Sequence, residues 1–378
     1  MRLPLGGVGD DVPVHDEPTT APDAPADPPA PSTRSITLSV SMLASAVLLA
    51  VLALLPAPYA VSSPGPTRDT LGEHAGEPLI TIEGAETYDA TGQLLLTTVS
   101  TTGRPGYPSN LVSVVAGWFQ GSTAVRPVEL VFPPDVSQDE FDQSNEAAMV
   151  SSQENATVAA LEELGYEVPA TMTIVGTTEG SGAAGIVQEG DVLVSMDGQP
   201  LTTYSQLVDG LFQTAPGSTV RLGVLRDGQP VDLDVVTAER EGGGSQLGVY
   251  IDPQFDLPVD VSIKIEDIGG SSAGTMFALG IIDRLTPEDE ANGAIIAGTG
   301  TIDSVGRVGA IGGIQQKLAG ARRDGAEWFL APAANCDEVT GHVPDGLRVV
   351  KVETLHEARE AVVAIGAGQA DDLPSCSS

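Results

Sequence analysis

Between Ser35 and Leu55 the chain runs for 21 residues without a single charge, SITLSVSMLASAVLLAVLALL. Coiled as a helix rising ~1.5 Å per residue, such a run is as long as the hydrocarbon core of a bilayer is thick. A cleaved signal, the alternative, has a shorter apolar core and small residues at its cleavage site. Here the exit reads Leu55-Pro56-Ala57-Pro58-Tyr59-Ala60, with prolines where cleavage disfavours them. A retained single-pass transmembrane helix over 35–56 is therefore expected. Arg2 and Arg34 precede it and Arg68 follows it, a bias that places the N-terminus inside and the remainder at the outer face of the cell membrane.

The anchor is flanked by segments of other character. Residues 1–34 are rich in Pro and Asp without hydrophobic periodicity and are expected to be disordered. Residues 57–77, with SSPGPTRDTLGEHAGEP, read as a linker. β-type runs follow at Leu79–Ile82, Gln93–Val99 and Val128–Phe132, and a helical pattern over 138–164 closes at Gly165. A β-rich domain with one helix is expected over 78–168.

The formal net charge of −35 excludes nucleic acid as a partner, because so acidic a chain repels a polyphosphate. Hydrophobic residues make up 41% but aromatics only 4%, so the core has to be aliphatic. The two cysteines, Cys336 and Cys376, show no metal-ligand spacing. Outside the cytoplasm a disulfide between them is expected, against the alternative of two free thiols.

Residues 169–244 alternate short strands with Gly-Asp, Asp-Gly and Pro-Gly turns, and carry one amphipathic helix at Ser205–Gln213. The run Ala183-Ala184-Gly185-Ile186-Val187-Gln188-Glu189-Gly190-Asp191-Val192-Leu193 followed by Met196-Asp197-Gly198 resembles the core of a PDZ domain. That resemblance implies a peptide ligand added as a strand to a sheet edge. The alternative is a rigid β spacer without a ligand.

Chemistry concentrates in residues 245–366, ahead of a tail at 367–378. Gly269-Gly270-Ser271-Ser272-Ala273-Gly274 runs into the apolar Thr275–Ile282, so a buried helix is expected to start near Ser272. A hydroxyl there meets free N–H groups and the positive end of a helix, although a serine in such a place is more often a simple N-cap. Further on, Gly312-Gly313 opens a helix in which Lys317 shares a face with Ile314, Leu318 and Ala321. A lysine desolvated on that face loses basicity and becomes a general base; the alternative is a lysine that snorkels at the rim.

Together Gly270-Ser271-Ser272-Ala273-Gly274, Gly312-Gly313-Ile314-Gln315-Gln316-Lys317 and the intervening Thr299-Gly300-Thr301-Ile302 with Gly306-Arg307-Val308 resemble the proteolytic domain of Lon peptidases. The resemblance implies Ser272 as nucleophile and Lys317 as its base, supported by Thr299, Gly270 and Ser271. Ser271 replaces the family's proline. Gly269 stands where many members carry an acidic residue, with Asp267 only nearby, which implies modest activity or a need for activation.

The expected architecture is thus α+β and multidomain: an N-terminal transmembrane helix, a β-rich domain, a PDZ-like domain and a Lon-type α+β proteolytic domain. This order is similar to membrane-bound PDZ-containing Lon-like proteases of Gram-positive, actinobacterial type. The expected activity is serine endopeptidase action on exposed or unfolded polypeptides, with self-association as a further implication of the resemblance. No Gly-Lys dipeptide occurs, hence no G-x-x-x-x-G-K-[ST] sequence; ATP-independence is expected, with no metal or other cofactor. The competing reading is a catalytically silent, membrane-anchored PDZ adaptor or scaffold.

Overall fold

The computed structural model describes residues 33–74, 76–104, 108–240, 243–265 and 268–376. The expected disordered leader, up to residue 32, and Asp267 lie outside them. The chain divides into two compact units, Met1–Ala53 and Leu54–Ser378. The described part of the first belongs to the helix α1 (Thr33–Leu54), whose last residue falls at the start of the second. Its stretch Thr33–Val51 has a mean hydropathy of 1.7 and no buried residue, so the helix is long and apolar enough to cross a membrane.

The second unit opens with β1 (Tyr59–Asp69) and β2 (Gln93–Thr102), then α2 (Leu111–Phe119), β3 (Ala124–Pro127) and the long α3 (Gln138–Glu163). A capping box starts α3: Ser137 Oγ accepts from the Glu140 N–H while the Glu140 carboxylate accepts from the Ser137 N–H. Gly165 ends it in the left-handed region at φ +83°. There follow β4 (Ala170–Thr177), β5 (Val192–Met196), α4 (Tyr204–Gln213), β6 (Thr219–Arg226), β7 (Gln229–Val236) and β8 (Val249–Phe255). The last part holds α5 (Gly274–Leu285), β9 (Ile295–Gly298), α6 (Ile314–Arg323), β10 (Trp328–Pro332), β11 (Arg348–Val352) and α7 (Leu355–Gly366).

One six-stranded sheet, in the order β11-β10-β9-β2-β1-β3, takes strands from both ends of the chain. Strands β2, β9, β10 and β11 run parallel, and β1 and β3 extend the sheet antiparallel. Alternation of side chains sends Leu94 and Leu96 to one face and Leu95 to the other. The first face packs against α3, α5 and α7, the second against Ile314, Leu318 and Ala321 of α6. α5 is buried throughout Gly274–Asp283, as an uninterrupted apolar helix between layers must be.

Three expectations are corrected here. The segment 78–168 does not stand apart, because Gln93–Leu96 pair with Ile295–Gly298 and share their core. The expected linker contains β1, deep in the sheet. Its turn-like Pro64-Gly65-Pro66 coincides with a break in the β1–β2 register between Pro64 and Thr67, where missing donors do no harm. Gly65 is required at that break, since a Cβ would overlap the Thr98 hydroxyl. Finally, Val128–Leu130 form a single 3-10 turn rather than a strand.

The second sheet is antiparallel in the order β7-β6-β5-β4-β8 and encloses Met172, Ile174, Leu193, Leu207 and Leu222. Asp227 and Gly228, both at positive φ, make the two-residue turn between β6 and β7 that the sequence signals. Its edge strand β8 comes from beyond residue 244. Register along β4 runs from Val249 opposite Thr177 to Phe255 opposite Ala170.

A strained electrostatic point lies in α5. Asp283 is 3% exposed, its Oδ2 has no hydrogen-bond partner among the described residues, and burial raises its pKa to about 6, with Asp289 and Glu290 adding to the effect. A carboxyl with a raised folded-state pKa makes stability fall as pH climbs from the unfolded value of ~4 through the folded one, after which the loss stays constant. Asp283→Asn keeps an acceptor for the Ala291 N–H and removes the charge. Its expected effect is about 1–3 kcal/mol of added stability at pH 8 and little at pH 4. Equal denaturant midpoints for the two proteins at pH 8 would refute it.

Candidate active site

The site forms where β9 ends and the sheet opens, a position where crevices arise at the carboxyl ends of parallel strands. Thr299 and Gly300 follow β9 directly, and the loop from Ile268 to Ala273 leads into α5. Helix α3 holds that loop: the Gly270 N–H donates to the Asn145 carbonyl at 3.0 Å, and Ser152 Oγ donates to the Ser271 carbonyl at 3.1 Å. Gly270, at φ +87°, supplies the left-handed turn. From the other side the Gly300 N–H and Thr299 Oγ1 both donate to the Ser272 carbonyl at 2.9 Å.

On the opposite face of the sheet, Gly313 (φ +72°) starts α6 and lies close against Val99 of β2. One turn later Lys317, 2% exposed, turns its amine inward. Lys317 Nζ donates to Ser272 Oγ at 2.7 Å and to Thr299 Oγ1 at 2.8 Å. Burial lowers the lysine pKa from 10.5 to about 7. The other two lysines, Lys264 and Lys351, pair with Glu77 and Glu353; Lys317 has only hydroxyls to meet it among the described residues.

At the start of α5, the Gly274, Thr275 and Met276 N–H groups have acceptors in Ser271, Gly300 and Ala273, while among the described residues none faces the Ala273 N–H. An open amide beside Ser272 at a helix N-terminus can receive developing negative charge. Ser272 and Lys317 border a groove of about 370 Å3 walled by Pro66, Thr98, Val99 and Gly270. A neighbouring cavity of about 780 Å3 shares Val99, Ile268 and Gly269 with it and reaches Phe132 and Phe141. β9 pairs with β2 only as far as Leu96, so among the described residues the edge of β2 beyond Thr97 has no strand on that side.

The sequence-derived candidates Ser272, Lys317, Thr299, Gly270 and Ser271 thus converge. Sequence reading missed Ser152, whose only signal is a small polar residue on the buried face of α3, and Asn145, which acts through its backbone carbonyl and leaves no side-chain signal. His342 lies by the Thr340 carbonyl and His356 by Glu163, away from this cluster. Among the described residues no three His, Cys, Asp or Glu side chains gather as metal ligands. Cys336 and Cys376 form a disulfide that ties the C-terminal tail down, and the Lys351 N–H donates to the Pro374 carbonyl beside it.

A second opening lies on the other sheet. β8 is an edge strand, so its far side is unpaired among the described residues. It is entered through Leu247-Gly248, with Gly248 at φ +71°, and no acceptor faces the Leu247 or Gly248 N–H among the described residues.

Residues 249–364 match the family model of the Lon protease (S16) C-terminal proteolytic domain, and residues 161–237 match that of the PDZ domain. The chain is 37% identical over 174 residues to the Lon protease of Clostridioides difficile, covering 41% of this chain and 22% of that protein. It is 30% identical over 178 residues to Lon protease 2 of Herpetosiphon aurantiacus, covering 45% and 21%. Against the periplasmic pH-dependent serine endoprotease DegQ of Escherichia coli it is 33% identical over 102 residues, covering 27% and 22%. The chain spans about a fifth of the length of these relatives. It contains a PDZ domain and a Lon-protease-like C-terminal proteolytic domain, and β8, inside the stretch matched to the latter, completes the sheet of the former.

Lys317→Met removes the buried amine and keeps the shape of its stem. The folded-state pKa of about 7 lies below the unfolded value, so the folded state binds fewer protons from there to ~pH 10, and wild-type stability rises with pH across that window. Below it the cost of burying the charge is present in full. The variant is expected to be more stable than wild type at pH 6 by about 1–3 kcal/mol, with the gap narrowing by pH 9. A variant less stable at pH 6 would show that the amine is well solvated or paired.

Proposed function

We propose that this chain is a serine endopeptidase in which Ser272 is the nucleophile and Lys317 the general base. The observation that carries the reading is the 2.7 Å contact between Ser272 Oγ and the amine of a buried lysine whose pKa is lowered to about 7. A neutral amine at that distance takes the Ser272 proton as Oγ attacks the scissile carbonyl. The oxyanion settles on the Ala273 N–H at the head of α5. The protonated Lys317 then gives its proton to the departing amine, leaving an acyl group on Ser272. Water enters, Lys317 takes its proton, and collapse of the second tetrahedral intermediate frees the carboxylate product and restores Ser272. Thr299 is a positioning residue: its hydroxyl receives one amine hydrogen and fixes the direction of the lysine.

The substrate is an exposed or unfolded polypeptide laid as a strand along the open edge of β2 past Ser272. A peptide end is held on the PDZ domain along β8, with its carboxylate on the Leu247 and Gly248 N–H groups, and this presents or gates substrate. The reaction consumes only water, and the chain holds no P-loop sequence, so hydrolysis proceeds without ATP. α1 anchors the protein as a single span with the N-terminus inside and the proteolytic domain at the outer face; copies associate as homo-oligomers.

The test is cleavage of unfolded casein by the full chain without ATP. Ser272→Ala and Lys317→Ala are each expected to lower the rate by about 10^3-fold or more, and Thr299→Val by about 10–100-fold in kcat. The rate constant should rise with pH through a midpoint near 7, since the base has to be neutral. Undiminished cleavage by Ser272→Ala would sink the assignment.

A further inference from the structure

α2 is an unusual helix for a water-facing surface. Its sequence LVSVVAGWF has no charge, and none occurs anywhere between Arg104 and Arg126. One side, Val114 and Gly117, packs on Ala57, Val61 and Val125 of the adjoining strands. The other side is apolar as well and uncovered: Leu111 is 42% exposed, Val112 56%, Val115 41%, Trp118 63% and Phe119 86%. Leu130, 76% exposed in the turn after β3, adds to the apolar surface. A patch of this composition is costly in water and marks a surface that something covers.

The covalent path names the occupant. Ser109-Asn110, the two residues before α2, pair with Ala57 and Pro56. Asn110 also caps α2, its Oδ1 accepting from the Ser113 N–H at 2.8 Å. Pro56 follows Leu54, the last residue of the apolar α1, after a single intervening residue. Two residues of extended chain reach ~7 Å, so a span ending at Leu54 delivers the root of α2 to the membrane boundary. An apolar helix with a Trp and a Phe at its end is suited to that depth, where aromatic rings prefer to lie.

We propose that α2 is an interfacial helix whose exposed Leu111, Val112, Val115, Trp118 and Phe119 enter the outer lipid leaflet beside the span. The inference rests on the membrane anchoring proposed for α1 and is independent of the Ser272–Lys317 chemistry. Interfacial helices commonly turn a charged face to water; here the protein itself covers that side, through Val114 and Gly117. With no charge on the helix and a net −35 on the chain, the attraction is apolar, so zwitterionic lipid suffices. The occupant is a lipid surface.

The experiment uses the full chain carrying Trp328→Phe, which leaves Trp118 as the single tryptophan of the original two. The protein is reconstituted in phosphatidylcholine vesicles containing lipid brominated near the head of the acyl chain. Trp118 emission is expected to be blue-shifted, to lose most of its intensity to the bromolipid, and to resist aqueous iodide. Adding Val112→Asp, an exposed position that leaves the folded core alone, is expected to reverse all three effects without changing casein cleavage in detergent. Emission quenched by iodide and not by bromolipid overturns the proposal. Protection from both quenchers, with cross-linking between copies through α2, overturns it in favour of a second copy as occupant. A chain that fails to float with the vesicles removes the anchor and the inference together, whereas a floating chain with unquenched Trp118 removes only the inference.

Discussion

A lysine amine buried with no counterion among the described residues is the constraint around which the rest of the site is arranged. Charged, Lys317 would forfeit hydration that two hydroxyls only partly replace, and its pKa of about 7 expresses that cost. A carboxylate partner would relieve the cost and also restore the basicity of an ordinary lysine, taking away the neutral amine that the proposed general base needs. The hydroxyls of Ser272 and Thr299 satisfy the amine's hydrogen bonding without stabilising its charge. The same burial that weakens the protein at this point makes the nitrogen available.

Holding two side chains from opposite faces of a sheet within 2.7 Å of each other demands a rigid frame. α6 brings Lys317 from one face and the loop before α5 brings Ser272 from the other, meeting where the pairing of β2 with β9 stops. α3 secures the loop near one end through Asn145 and Ser152, and near its other end Glu162 accepts from Ser205 of the PDZ domain at 3.0 Å. The PDZ domain is inserted between α3 and the stretch leading to Ser272. Its edge strand β8 continues into Asp260–Ile263, which pair with Ile80–Glu83. Both connections of the PDZ domain therefore run toward the loop that carries Ser272.

The features legible in the sequence were those written locally. Gly313 before a helix, Lys317 on its apolar face, and small residues ahead of α5 each carry their own signal, and the Asp-Gly turns mark the hairpins of the PDZ domain. What escaped was non-local. Nothing near Gln93 announces that it pairs with Ile295, some two hundred residues on. β1 was hidden because Pro64, Gly65 and Pro66 resemble a linker, and only a partner strand with a matching register break turns them into a strand. Val128–Phe132 has β-type composition, yet a 3-10 turn there places Phe132 beside Phe141 at the rim of the large cavity. Ser152 is a serine among many until its carbonyl partner at Ser271 is known.

Titrating the Lys317 side-chain nitrogen by NMR shows whether that amine is neutral near pH 7. With only three lysines in the chain, the signal lost in Lys317→Arg identifies it in the spectrum of Ser272→Ala, where the protein cannot consume itself. A midpoint near 7 is the predicted result. A midpoint near the ordinary lysine value of ~10.4 would mean a charged, well-solvated amine and would contradict the account.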